Sequence, residues 1–353
     1  MRRISTAIML GALLSSVVVA QQTEIGKTVE VGRTGFAVKR PVVAAACPHG
    51  CPWGELGDFL EDALRPMGYN LVLCRNCNRA EGPRLVSTAS LPPPLTPADA
   101  RVGTVERVNA PVDFGITESG ILADAYDGRG PNHEGAYRNL RLIAKIEDPT
   151  YLLAAVKRSS GITDLGQIRD RRLPVRILTT GANSQVVLDY YGLTRERVAS
   201  WGGSIGNAMG ASATAAFDLI VSDLASPANN PESAFWTTLS QTQDLYFVDF
   251  AGPLLERLAA TGRVERVTAK WGLLRGVDRP IATVARSGEA VFARSDTPDQ
   301  AAYDIAKAID DHRAALRWFV RPYSYEPTSV ASNFGVPLHP GAERYYRERS
   351  YVR

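Results

Sequence analysis

Four cysteines fall within residues 47–77 as two pairs, Cys47-Pro-His-Gly-Cys51 and Cys74-Arg-Asn-Cys77, and they are the only cysteines in the 353-residue chain. Each pair ends a short apolar run, 42–46 and 70–74, so both belong at strand tips. Neighbouring strand tips lie within the roughly 4.4–6.8 Å between Cα atoms that a disulfide spans. An even set in an exported chain favours disulfides. The pairing expected here joins the two tips, Cys47 or Cys51 with Cys74 or Cys77. Two other chemistries stay open. Four thiolates with His49 could hold zinc or copper(I), although C-x3-C is an unusual zinc spacing. The C-R-N-C pair could cycle as a redox dithiol, without the surrounding pattern of a thioredoxin. Covalent haem is disfavoured, because Asn78 stands where a C-x-x-C-H motif needs histidine.

Groups for binding are easier to place than groups for catalysis. Histidine occurs four times, at His49, His133, His312 and His339. No G-x-S-x-G, H-E-x-x-H or Ser-His-Asp signature is present. No nucleophile can therefore be matched with a base, and the chain reads as a binding protein rather than an enzyme. Thr179-Thr180-Gly181-Ala182-Asn183-Ser184 follows an apolar run and precedes a helical one. Gly181 permits close backbone approach. Asn183 or Ser184 can cap the helix, and the free N–H groups of its first turn favour a carboxylate or other anion. Without a ligand the same loop is a plain N-cap. No Walker-type lysine accompanies it, which argues against nucleotides.

Thr117, Glu118 and Ser119 follow another apolar run. They offer two hydroxyls and a carboxylate suited to a ligand ammonium, or else a helix cap beside a solvated glutamate. Asp223 and Ser226 stand in the same relation to the run 217–221. Trp53, beside the first cysteine pair, can stack on an apolar ligand or pack beneath its own loop. Arg75 and Arg79 flank the second pair, where they can hold a carboxylate bidentately or lie on the surface. Trp201 fits the core of the second half of the chain.

Such loops need strand–loop–helix units to position them, and 112–193 has that pattern. Its apolar runs stop at small polar loops and then enter helical periodicity. Units of this kind build open parallel sheets that bind ligands at the C-terminal ends of their strands. After Pro52, Leu56, Phe59, Leu60, Ala63, Leu64 and Met67 recur at helical spacing, and Gly68 ends the helix. Strands are expected at 42–46, 70–74, 112–116, 175–178, 217–221 and 245–249. A strand pair around Asp148-Pro149, within 140–157, is the expected crossing into a second lobe. The run 280–294, split by Ser287-Gly288, is the return. Thr297-Pro298-Asp299-Gln300 reads as a capping box with proline at the first helical position. It opens a helix with the apolar face Ala302, Ile305, Ala306, Ile309 and Leu316, and Pro340 begins a final helix. The fold class is α/β, with two lobes and a hinge of crossing strands. Lobe I is 41–150 with 290–353, and lobe II is 151–289.

Ahead of them, Arg2-Arg3, an apolar stretch over 8–20 and small residues up to Ala20 form an export leader. The stretch is shorter than the roughly 18 residues of a spanning helix. Cleavage near Ala20 leaves a leading arm at 21–40 and places the mature chain in the periplasm or another extracytoplasmic space. The apolar and charged fractions, 45% and 22%, are those of a soluble globular protein. The net charge of +3 becomes 38 basic against 37 acidic residues once Arg2 and Arg3 leave, with no dense basic run. Nucleic acid and anionic lipid therefore have little claim as partners, and no cofactor motif stands out.

Three blocks, in order, resemble the TAXI-type (TRAP-associated extracytoplasmic immunogenic) solute receptors. They are V-D-F-G-I-T-E-S-G-I-L-A-D-A-Y-D-G from Val112, L-R-L-I-A-K from Leu140 followed by I-T-D-L-G-Q-I-R from Ile162, and P-L-H-P-G-A-E-R-Y-Y-R-E from Pro337. The resemblance runs from about residue 42 to the C-terminus. It implies a two-lobe periplasmic-binding-protein fold that holds a solute between its lobes without chemistry. It also implies delivery to the membrane permease subunits of a TRAP-type transporter, and solute contact by the loop 179–184. One block departs. The family's Gly/Ser/Thr-rich loop after the first strand is here the Cys47-to-Trp53 segment, so the family's acidic, amino-acid-like ligands do not carry over directly. The expected solute is small, organic and anionic, and the receptor a monomer. Two other uses fit the same scaffold: a thiol-based metal or redox protein, and a receptor that feeds a sensor kinase.

Overall fold

The computed structural model describes residues 42–48, 51–77, 81–95, 108–129, 135–226, 230, 232–261, 263–286, 288–319 and 323–353. The leader and leading arm lie outside them. From the N-terminal side the chain runs through β1 (Val42–Ala45), α1 (Pro52–Leu64), β2 (Leu71–Cys74), α2 (Glu81–Thr88), β3 (Phe114–Glu118), α3 (Ser119–Asp127) and β4 (Leu140–Ile146). It crosses into β5 (Thr150–Lys157), α4 (Gly166–Asp170), β6 (Arg176–Thr180), α5 (Ala182–Tyr190), α6 (Arg195–Ser200), β7 (Ser204–Asn207) and β8 (Leu219–Ala225). Next come α7 (Ala234–Thr242), β9 (Leu245–Val248), α8 (Gly252–Ala259), β10 (Glu265–Ala269) and β11 (Ile281–Arg286). The chain returns through β12 (Glu289–Arg294), α9 (Asp299–Asp311) and α10 (Pro340–Glu348).

Two sheets result. The first has the order β2-β1-β3-β12-β4; the second has the order β10-β11-β5-β8-β6-β7, with β9 also on β5. Both are mixed, not the purely parallel sheets that strand–loop–helix units suggest. β1 is parallel to β2 and β3, but β12 is antiparallel to β3 and β4. β6 is parallel to β7 and β8, but β5 is antiparallel to β8, β9 and β11. The reason lies in the crossings. The chain leaves the first sheet at the end of β4 and re-enters it at that same end through β12, so these two strands run oppositely, as do β5 and β11 in the second sheet.

Each sheet is covered on both faces, which explains its unbroken apolar runs. Val42 and Ala44 face one core while Val43 and Ala45 face another, and Leu152, Ala154 and Val156 alternate with Leu153 and Ala155 in the same way. The periodic face of α1, at Leu56, Phe59, Leu60, Ala63 and Leu64, is buried, and Gly68 at φ +87° closes the 3-10 turn that follows. The chain returns to the first sheet through α9 and α10, which pack on each other and on β4. Buried Asp310 ties them together, accepting from the Tyr345 hydroxyl at 2.6 Å and from Arg313 and Arg349.

Several local expectations change. Pro298 is the N-cap of α9 rather than its first residue, and no side chain caps that helix, so Thr297 is not half of a capping box. Leu316 lies in a separate 3-10 turn beyond the end of α9. The third strand begins at Phe114, two residues later than expected; the Val112 N–H turns to the Ser90 carbonyl, and Asp113 makes the first bond to β1, at Val43. Helix α2 occupies Glu81–Thr88, with Leu85 and Val86 on its buried side.

Candidate functional site

The registers bring the working ends of both sheets to the crossings. β1, β2 and β3 are parallel, so Cys47, Cys74 and Glu118 lie at one end of the first sheet. Glu289 pairs with both Glu118 and Ile146, which places the start of β12 and the end of β4 at that same end. In the second sheet Arg286 pairs with Thr150, Ala225 with Tyr151, and Thr180 with Ser222. The C-terminal ends of β6 and β8 therefore meet the crossings from the other side. Loops after parallel strands are where open α/β sheets bind ligands, and here both sets lie at the two crossings.

At the meeting point stands an ionic cluster. Arg286 donates to Glu118 Oε2 at 3.0 Å through Nη1 and to Thr150 Oγ1 at 2.8 Å through Nε, so one guanidinium links the two sheets. Asp223 Oδ2 accepts from the backbone N–H of Asn183 at 3.2 Å and from its side-chain amide at 3.1 Å. The Trp53 indole N–H donates to Glu289 Oε2. Ser119 donates through both its N–H and its hydroxyl to the Gly288 carbonyl, each at 3.0 Å. Asp223 and Glu289 are buried, while Glu118 and Arg286 keep a limited opening to solvent.

Two glycines make this closeness possible. A Cβ on Gly181, at φ +89°, would lie 1.5 Å from Asp223 Oδ1, and one on Gly288, at φ +94°, would lie 2.1 Å from the Ile146 carbonyl. Only glycine fits where φ is positive and another group sits against the backbone.

The carboxyls interact through charge. Burial pushes Glu289 up to about 8, reinforced by Asp148 and Glu118 and opposed by Arg286 and the Trp53 N–H. Burial also raises Asp223, with Glu118 adding to it and Arg286 and Asn183 pulling back. For Arg286, burial favours the neutral form, but Glu118, Asp223 and Glu289 together outweigh it, and its pKa rises. The cluster is short of positive charge: three carboxyls share one guanidinium.

Of the residues singled out from sequence, Trp53, Glu118, Asn183 and Asp223 come together here. Thr117 is buried in β3, and Ser119 bonds to the second crossing at Gly288 rather than capping α3, whose N-cap is Glu118. Gly181, not Asn183 or Ser184, is the N-cap of α5; the Ser184 hydroxyl donates to the Thr180 carbonyl. The carbonyl of Thr179 accepts from Ala208. Arg75 pairs with Asp58 on α1. Trp201 packs against the core of the second sheet, as expected. His49 and Arg79 lie outside the described residues.

The cysteine pairing is corrected. Disulfides close within each tip, Cys47–Cys51 and Cys74–Cys77, and not between tips. Residue 51 caps α1, one turn back over its own strand end, so the nearer partner wins. All four sulfurs are therefore in disulfides, not thiolate ligands, and among the described residues no cluster of His, Cys, Asp or Glu is arranged for a metal.

Arg286, Glu289 and Thr150 were not singled out from sequence. The signal was present as Arg286-Ser-Gly-Glu289, opposite charges on either side of a glycine between two apolar strands.

Comparison with known proteins now adds the family. A model of the NMT1-like family matches residues 101–349, most of the chain and most of both sheets. The chain belongs to the NMT1-like family. Among solved structures, the malate-bound MatC of Rhodopseudomonas palustris is 10% identical with a TM-score of 0.43, covering 89% of this chain and 99% of its own. A TctC solute binding protein from Polaromonas is 13% identical with a TM-score of 0.40, covering 89% and 99%. A protein described as a periplasmic transporter is 12% identical with a TM-score of 0.40, covering 88% and 93%. At these distances the likenesses carry no weight for ligand or partner. No helix among the described residues is long and apolar enough to cross a membrane.

Proposed function

We propose that this NMT1-like protein is an extracytoplasmic solute-binding component of a transporter. It takes a small molecule between its two lobes and presents the closed form to a membrane permease. One observation carries this reading: strand ends of both sheets converge on a buried polar cluster beside two short crossings. Two strands of three linking residues or fewer make a hinge, and loops on either side of it can add contacts only when the lobes close. A solute that makes more contacts in the closed form shifts the balance toward closure. A TRAP-type permease is the partner we favour, on the strength of the three sequence blocks, with the receptor acting as a monomer after cleavage near Ala20. The lobes we assign are 41–150 with 290–353, and 151–289. Trp53, Glu118, Asn183 and Asp223 are the contacts we assign to the solute, with the loop 179–184 around them.

A thermal-shift screen of small organic solutes on the mature protein tests the reading. A solute at a hundred times its Kd should add about 2.7 kcal/mol of stability. X-ray scattering should show a smaller radius of gyration in its presence. A stabilising solute that leaves the radius unchanged would argue against closure. Asn183→Ala should weaken binding and leave the fold intact, and unchanged affinity in calorimetry would remove that loop from the site.

A further inference from the structure

Resting on the receptor reading, we infer that the Cys47–Cys51 bridge is a redox switch on the hinge. Reduced by an extracytoplasmic dithiol, it releases the head of α1 from both crossings and shifts the lobes toward the open form.

Two adjacent residues at the head of α1 each hold one crossing. The Trp53 indole N–H donates to Glu289, the first residue of β12, directly after the crossing at 287–288. The Pro52 carbonyl accepts from the Tyr323 hydroxyl. The next residue, Ser324, is bonded to Glu147 at the start of the other crossing. Its N–H donates to the Glu147 carbonyl and its carbonyl accepts from the Glu147 N–H, both at 2.9 Å.

What fixes Pro52 and Trp53 is the turn just before them. Cys51 is the N-cap of α1, and no side chain caps that helix. The Cys51 N–H meets the Pro48 carbonyl at 3.2 Å, and the bridge ties Cys51 back to Cys47 at the end of β1. The place of α1 in the fold does not depend on the bridge, since its buried face packs on β2 and α9. Both cysteines belong to one short connection, so breaking their bond changes that turn and leaves the elements where they are.

The sulfurs differ in access. Cys47, Cys74 and Cys77 are buried, while Cys51 is only partly so. Exchange needs room for the attacking thiolate. One thiolate of the dithiol adds to Cys51 Sγ, the bond between the two cysteines breaks, and Cys47 leaves as a thiolate. The second thiolate then closes on the mixed disulfide and releases Cys51. Two electrons pass from the dithiol, which ends as its own disulfide, and its two protons end on Cys47 and Cys51. The Cys74–Cys77 bridge, buried at both residues, offers no such entry and stays closed.

Dithiothreitol applied to the folded, mature full-length protein, with iodoacetamide to trap thiols, tests the switch. Mass mapping should find Cys47 and Cys51 alkylated and Cys74–Cys77 still bridged, in a protein that melts cooperatively. Hydrogen exchange in peptides covering 144–150 and 285–292 should quicken by at least about fivefold, with the strand 219–225 unchanged. X-ray scattering should show a larger radius of gyration. The double variant Cys47→Ser, Cys51→Ser should exchange like the reduced protein and ignore dithiothreitol. If the bridge yields only as the protein melts, it is structural and the inference is overturned. Native reduction that leaves exchange at both crossings unmoved would overturn it equally, by removing the link to the hinge. No arm of this test uses a solute, so an empty solute screen beside positive results would count against the receptor reading and not against the switch.

Discussion

Glu289 sits where one side chain sets the behaviour of the site. It is buried between Asp148, Glu118 and Arg286, and its pKa rises to about 8 from the roughly 4.3 of a free glutamate. In the folded, ligand-free protein it therefore keeps its proton over a range where the unfolded chain has lost it. That proton contributes stability that is fully present below about pH 4.3 and is lost as pH rises toward 8. The slope is at most about 1.4 kcal/mol per pH unit. Glu289→Gln removes the titration. The melting temperature of the variant relative to wild type should climb between pH 5 and pH 8 and hold steady above. A constant difference across that range would show that Glu289 is ionised throughout.

At the level of elements, the decisive feature is how α1 is joined to β1. The carbonyls of Cys47 and Pro48 fold back over the first turn of α1, so close that a Cβ on Gly54 would lie 2.5 and 2.4 Å from them. The Cys47–Cys51 bridge closes this turn, and Trp53, one residue into the helix, reaches Glu289 from there. The second bridge does the same for the turn after β2. Each closes only a handful of residues, so each stabilises by about 2 kcal/mol on the chain-entropy model, less than a bridge between the tips would. Dithiothreitol should lower the melting temperature by several degrees. Mass mapping of unreduced peptides should show both local pairs. Free thiols in exported protein, or peptides linked across the two tips, would contradict the pairing.

For the whole molecule, the question is what holds the lobes together. Besides Arg286–Glu118, Arg263 of lobe II reaches Asp124 on α3 at 2.7 Å, and Lys145 on β4 lies 3.5 Å from Glu265 on β10. Arg263 and Glu265 are about half exposed, so these pairs contribute only about 0–1 kcal/mol each. That is small against folding but useful against an open–closed balance. Arg263→Ala should weaken solute binding by up to about fivefold, enlarge the ligand-free radius of gyration in scattering, and shift the melting temperature by less than about 2 °C. A larger loss of melting temperature would make the pair part of the fold rather than of the hinge.

Much of this architecture was legible in local pattern. The α1 face, the strand pair around Asp148-Pro149 and the return split at Ser287-Gly288 were readable because apolar periodicity and chain breakers act over a few residues. The places of Trp53, Glu118, Asn183 and Asp223 at element ends were readable because each follows or opens an element whose type was clear. The direction of the strands was not, since it depends on the length and path of the crossings. Nor was the cysteine pairing, which turned on how tightly Cys51 folds back at the head of α1. The cluster itself was out of reach, for Arg286 meets Glu118 across 168 residues and Trp53 meets Glu289 across 236. Sequence alone determined most of the elements and the α/β class, because those follow from neighbours along the chain. Which charges face one another at the crossings was decided only when the two sheets were brought end to end.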